Sequence, residues 1–103
     1  MPTADVRDNP ARKRFETFLD GTLAGFVTYD LEGETYALNH TEVFPQYEGH
    51  GVGTALVVET LTQIRQRGGE ALPYCSFIPK VIRDHPELID VVPAEAQPQF
   101  GLA

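Results

Sequence analysis

One stretch constrains this chain more than any other. Gln46-Tyr47-Glu48-Gly49-His50-Gly51-Val52-Gly53 sets three alternating glycines between a strand-like segment and a segment of helical period. Glycine reaches positive φ without a Cβ penalty. Successive N–H groups of such a loop can converge into an anion-binding nest, and a helix start adds free N–H groups and its dipole. Each dipole–anion contact is worth about 0.3 to 1 kcal/mol. The ligand implied is a diphosphate or similar anion, although three glycines by themselves fit a flexible turn equally well. A P-loop is excluded, because it needs Lys-Ser/Thr after its last glycine and Val52-Gly53-Thr54 follows Gly51 here.

The flanking patterns favour the anion loop. Phe15–Leu19 reads as a strand, Asp20-Gly21 as a hairpin turn, and residues 23–30 as a returning strand. After a turn at Glu32-Gly33-Glu34, Thr35–Val43 makes a third strand that Pro45 stops. Strict alternation there puts Tyr36, Leu38, His40 and Glu42 on one face and Ala37, Asn39, Thr41 and Val43 on the other. These antiparallel hairpins do not suit a dinucleotide fold, which sets its glycine loop in a parallel βαβ unit. From Val52, apolar residues at 57, 61 and 64 keep a helical period up to Gly68-Gly69. A fourth strand is expected over Glu70–Cys75, with Pro73 as an irregularity or edge. Ser76 then caps a short helix that ends at His85-Pro86, and Leu88–Val92 reads as a last short strand. Residues 1–10 and 93–103 carry little pattern and are expected to be poorly ordered. The fold class is α+β, a mostly antiparallel sheet with a helix packed on it and a short second helix.

Gln46-x-x-Gly49-x-Gly51 resembles the Q/R-x-x-G-x-G/A signature of the GCN5-related N-acetyltransferase superfamily. With His40-Thr41-Glu42-Val43 before it, and Pro73-x-Cys75 and His85-Pro86-Glu87 after it, the chain resembles more narrowly the small stand-alone YjdJ-type acetyltransferase family. The resemblance implies a V-shaped cleft opened where the third strand splays from the next. It implies acetyl-CoA as co-substrate and an amine as acceptor. Backbone groups at the end of that strand, around Val43, would hold the pantetheine arm. Gln46, Gly49, His50, Gly51, Val52, Gly53 and Thr54 would hold the pyrophosphate, and Cys75 would lie near the thioester. In one respect the chain departs from its relatives: Val81 stands six residues after the cysteine, where they often carry a tyrosine, so that tyrosine cannot be the acid here. Tyr74 is a poor substitute, because strand neighbours face opposite ways.

The catalytic candidates are Cys75, Glu42 and His40. Cys75 is a nucleophile if its thiol pKa is depressed, a cleft-lining residue, or a buried small hydrophobe. Glu42 or His40 could take the proton of an ammonium substrate, and a solvent-facing carboxylate and a structural histidine are their plainer alternatives. No ligand spacing supports a metal site. Three functions stay open: an acetyltransferase, a coenzyme A-binding or sensing module without turnover, and a small interaction domain whose glycine loop is only a turn.

Composition narrows the setting. The chain has 103 residues, suited to one domain, and a net charge of −7, which disfavours nucleic acid and anionic membrane partners. The lone cysteine cannot form an intrachain disulfide, so a reducing cytoplasm is expected. The acceptor and the oligomeric state cannot be read from the sequence.

Overall fold

The computed structural model describes residues 4–103. Five strands form one sheet in sequential order. They are β1 (Ala4–Asn9), β2 (Arg14–Leu19), β3 (Thr22–Glu32), β4 (Thr35–Val43) and β5 (Glu70–Pro73). The first four pair antiparallel and β5 runs parallel to β4. That reversal requires a crossover, which α1 (Val52–Gln66) supplies. Leu56, Val57, Thr60, Leu61 and Ile64 line its buried stripe, and the helix lies across the sheet. The second helix, α2 (Phe77–Asp84), buries Ile78, Val81 and Ile82 in the same core. The α+β class, the meander, both helices and the sheet with its packed helix agree with the sequence expectations.

Three features differ from those expectations. Ala4–Asn9, from a segment expected to lack order, forms the edge strand β1. Its Asp5, Arg7 and Asp8 obscure the β pattern, as charges on edge strands do. The amide of Gln63 on α1 donates to the Val6 carbonyl at 2.9 Å and ties the edge down. The remainder of that expectation, over residues 1–3, lies outside the described residues. Second, the strand expected over Leu88–Val92 is instead a 3-10 segment, Pro86–Val91. Its Leu88 and Val91 are buried three residues apart, the 3-10 repeat, and Arg65 donates to the Glu87 carbonyl at 2.7 Å. A short apolar run does not itself distinguish the two conformations. Third, the tail is organised: Ala94–Phe100 is 3-10, and Gln97 donates to the carbonyls of Ile89 and Val92.

The alternation of β4 also departs from the strict reading. Leu38 pairs with Tyr29 but His40 pairs with Thr28, so Asn39 is an extra residue in the ladder. A bulge of this kind reverses which face the following residues present. Tyr36 and Leu38 are buried beneath the helices, whereas His40 and Glu42 are exposed. Thr41, paired with the core residue Val27, and Val43, packed toward α1, take the helix side instead. His40 and Glu42 do share a face, but not that of Tyr36 and Leu38.

Candidate active site

The site begins with a parting of strands. β4 pairs with β5 only over Thr35–Leu38, yet stays paired with β3 as far as Val43. Proline has no N–H, so Pro73 cannot extend the ladder as a donor. The N–H of Tyr74 turns back to Leu72 at 3.0 Å, and the last link is Cys75 N–H to the Leu38 carbonyl, also 3.0 Å. The chain then enters α2, leaving residues 39–43 of β4 without a strand neighbour on that side.

Backbone groups face this opening. Phe44 N–H donates to the Ala24 carbonyl at 2.9 Å, so Val43 and Gly25 form a non-hydrogen-bonded pair. In an antiparallel ladder such pairs alternate with bonded ones and turn their peptide groups away from the partner strand. The N–H and C=O of Val43 and Thr41 therefore point toward the gap left by β5. The Thr41 hydroxyl is buried and has no hydrogen-bond partner among the described residues.

Beyond β4, Pro45–Tyr47 makes one 3-10 turn, and Tyr47 N–H donates to Phe44. Gly49 and Gly51 take φ of 82° and 74°, the left-handed region that glycine favours. A Cβ at either position would meet nothing within 4 Å, so the backbone there is bare. Gly51 caps α1 without any side-chain hydrogen bond, and the first turn holds no acidic residue. The first bond into the helix runs from Ala55 N–H to Gly51 at 3.0 Å. The N–H groups of Val52, Gly53 and Thr54 consequently have no helical acceptor, and the positive end of the dipole is not offset by a neighbouring carboxylate in that turn. Gly53 has a different reason for being glycine. A Cβ there would lie 3.3 Å from Val43 Cγ2 and 3.4 Å from the Phe77 ring. It lets the helix start pack closely on the end of β4 and the start of α2.

The eight candidates for coenzyme contact thus form one continuous strand–turn–helix junction, with Gln46 and His50 exposed on it. The catalytic candidates are not gathered in the same way. His40 Nε2 lies 3.4 Å from Glu42 Oε1, an exposed pair with side chains 59 % and 47 % accessible. Cys75 is half-buried and packs on the core beneath the helices, the opposite side of the sheet from that pair. Its thiol makes no hydrogen bond among the described residues. Val81 is a core residue, and the Tyr74 ring stacks edge-on to Phe100 at 5.3 Å. Among the described residues, no cluster of three or more His, Cys, Asp or Glu could hold a metal ion. A cavity of about 390 Å³ is lined by Ile82, Arg83, Pro86, Ile89 and the tail, and includes none of the loop residues.

Sequence reasoning missed two residues beside the opening. The bulge hid the orientation of Thr41, since strict alternation could not reveal it. Gly25 had a signal that could have been used, because a glycine inside a strand often marks close approach of another backbone.

A protein-family model described as GCN5-related N-acetyl-transferase matches residues 14–91, from β2 through the 3-10 segment after α2. Among solved structures, the crystal structure of nourseothricin acetyltransferase matches at 37 % identity, covering 54 % of this chain and 35 % of that one, with a TM-score of 0.44. The chain thus spans about a third of that protein's length. No curated protein matches.

Proposed function

The chain belongs to the GCN5-related N-acetyltransferase family, whose model covers most of it, and from that premise we propose that it moves an acetyl group from acetyl-CoA to an amine. The observation that carries the proposal is the junction of the open β4 edge with an uncapped, glycine-led helix start. Bare backbone at Gly49 and Gly51 and free N–H groups at Val52, Gly53 and Thr54 suit a pyrophosphate. The outward peptide groups of Thr41 and Val43 suit the amides of a pantetheine arm. Gln46 and His50 flank the loop and would contact the same phosphates.

When bound, acetyl-CoA supplies the activated carbonyl that the amine attacks. On the protein side, an ammonium acceptor must first lose a proton, and Glu42 or His40 would accept it directly or through one water. Their exposure and contact with each other favour a shared role, with the carboxylate orienting the ring. An acidic chain of net charge −7 also favours a cationic acceptor. In the covalent variant Cys75 takes the acetyl group first. Among the described residues no base is hydrogen-bonded to its thiol, which favours direct attack. A second reading, coenzyme binding without turnover, is favoured by Val81 alone, since the acid of relatives is replaced by a core side chain. A reducing cytoplasm fits the lone cysteine, and among the described residues no helix is long and apolar enough to cross a membrane.

The test is calorimetric titration with acetyl-CoA of the parent and of Gly51→Glu. The variant adds a negative side chain to the bare backbone at the helix start. Binding by the parent that the variant loses supports the loop assignment. No binding by the parent at millimolar ligand defeats the proposal, and binding with no turnover across a panel of amines selects the second reading.

A further inference from the structure

The end of β4 rests between two glycines that lie 28 residues apart in sequence, Gly25 on β3 and Gly53 on α1. A Cβ on Gly25 would come to 2.4 Å from the Glu42 carbonyl oxygen and 3.1 Å from Val43 Cα. Both obstacles are backbone, so no rotamer change relieves them, and the strand itself would have to move. On the other side, a Cβ on Gly53 would lie 3.3 Å from Val43 Cγ2. Gly25 has an ordinary negative φ, so the conformational freedom of glycine is not what the position requires. Missing volume is what it requires.

The segment held this way is the one with unpaired peptide groups. Gly25 and Val43 are a non-hydrogen-bonded pair, in which opposing Cα atoms approach to about 4.5 Å. Past the Asn39 bulge, this close approach sets how far Glu42 and Val43 lean toward the start of α1. That lean fixes the aim of the free Val43 and Thr41 groups relative to the glycine loop. We infer that Gly25 is a positioning residue that aligns the open β4 edge with the phosphate loop, so that one ligand can engage both. The inference rests on the coenzyme reading above. It assigns a function to a residue that touches neither the loop nor the reacting atoms.

Alignment of two half-sites differs from general stability in a measurable way. A ligand that needs only the loop should not sense Gly25, whereas one that spans loop and strand should. Gly25→Ala and Gly69→Ala are compared with the parent by amide-resolved NMR titration with ADP and with acetyl-CoA. Gly69→Ala serves as the strain control, because its Cβ would meet the Glu34 carbonyl oxygen at 2.9 Å, at the far end of β4. The expected result for Gly25→Ala is a loss of about tenfold or more in acetyl-CoA affinity, as for one or two misaligned backbone hydrogen bonds, with ADP affinity held within about twofold. Gly69→Ala should lower the melting temperature and leave both affinities near the parent's. Equal losses for the two ligands in Gly25→Ala, or no loss for either, overturn the inference. If Gly25→Ala does not fold, Val43→Ala probes the same seat by removing the methyl that meets Gly53, and the same ligand split is required of it. Failure of the parent to bind either ligand would instead overturn the coenzyme reading itself.

Discussion

Replacing Tyr29 by phenylalanine tests the polar clasp at the end of the sheet far from the loop. The Tyr29 hydroxyl donates to Asp8 Oδ1 at 2.6 Å. Arg67, just past the last turn of α1, donates to Asp8 Oδ2 at 2.8 Å and to the Tyr36 hydroxyl at 3.1 Å. The carboxylate thereby joins the edge strand β1 to β3, β4 and α1, and its side chain is only 14 % exposed. The phenylalanine ring can keep the packing on Phe15 and Tyr36, whose centroids lie 5.3 and 5.1 Å away. The substitution thus isolates one hydrogen bond to an ionised group, worth about 1.5 to 3 kcal/mol. Because Arg67 still satisfies the carboxylate, we expect a loss of about 2 kcal/mol, or roughly 10 °C in melting temperature for a domain of this size. Alkali supplies a second readout. Burial, and then the bond to Asp8, raise the Tyr29 pKa above its ordinary value. The unfolded chain therefore releases this proton first, near pH 10. Stability from this group is fully present below that pH and falls as pH rises through the folded value. Urea denaturation from pH 7 to 11 should show the parent losing stability above about pH 10, with a shallower loss for Tyr29→Phe. A cost under about 0.5 kcal/mol, or an unchanged alkaline slope in the variant, would refute the reasoning.

Two further outcomes are expected. Cys75→Ser should fold and keep acetyl transfer within about tenfold of the parent if the amine attacks directly; a fall of about a thousandfold, with an acetyl adduct on Cys75 in the parent incubated without acceptor, would establish the covalent route instead. Gly53→Leu should lose about 1 to 3 kcal/mol of stability by overpacking against Val43 and Phe77, and should weaken acetyl-CoA binding as well; a neutral result in calorimetry and thermal melts would contradict the packing role of that glycine.

Local chemistry made much of this fold legible. Asp20-Gly21 and Glu32-Gly33-Glu34 announced their turns, and both turn glycines do take positive φ. The spacing of Val57, Leu61 and Ile64 identified α1, since a helix buries one stripe whatever it packs against. The glycine loop between strand and helix needed no tertiary information, because its conformational demand is carried by its own residues. Composition and periodicity thus determined the class of fold and the position of the candidate site.

The rest was settled only when segments met in space. A charged edge strand forms because β2 offers it a ladder and Gln63 and Arg67 anchor it. The 3-10 segment Pro86–Val91 packs against both α1 and α2, contacts that a local apolar run does not reveal. The bulge at Asn39 depends on how β3 and β4 align, a pairing property that neither strand encodes alone. It places His40 and Glu42 opposite the core and turns Thr41 and Val43 toward α1. Gly25 follows the same rule. On its own it is a weak strand residue, and its meaning appears only with the carbonyl of Glu42 lying over it. Side-chain periodicity is a local property of each segment, whereas the splay of β4 and the aim of its free peptide groups come from contacts between segments distant in sequence.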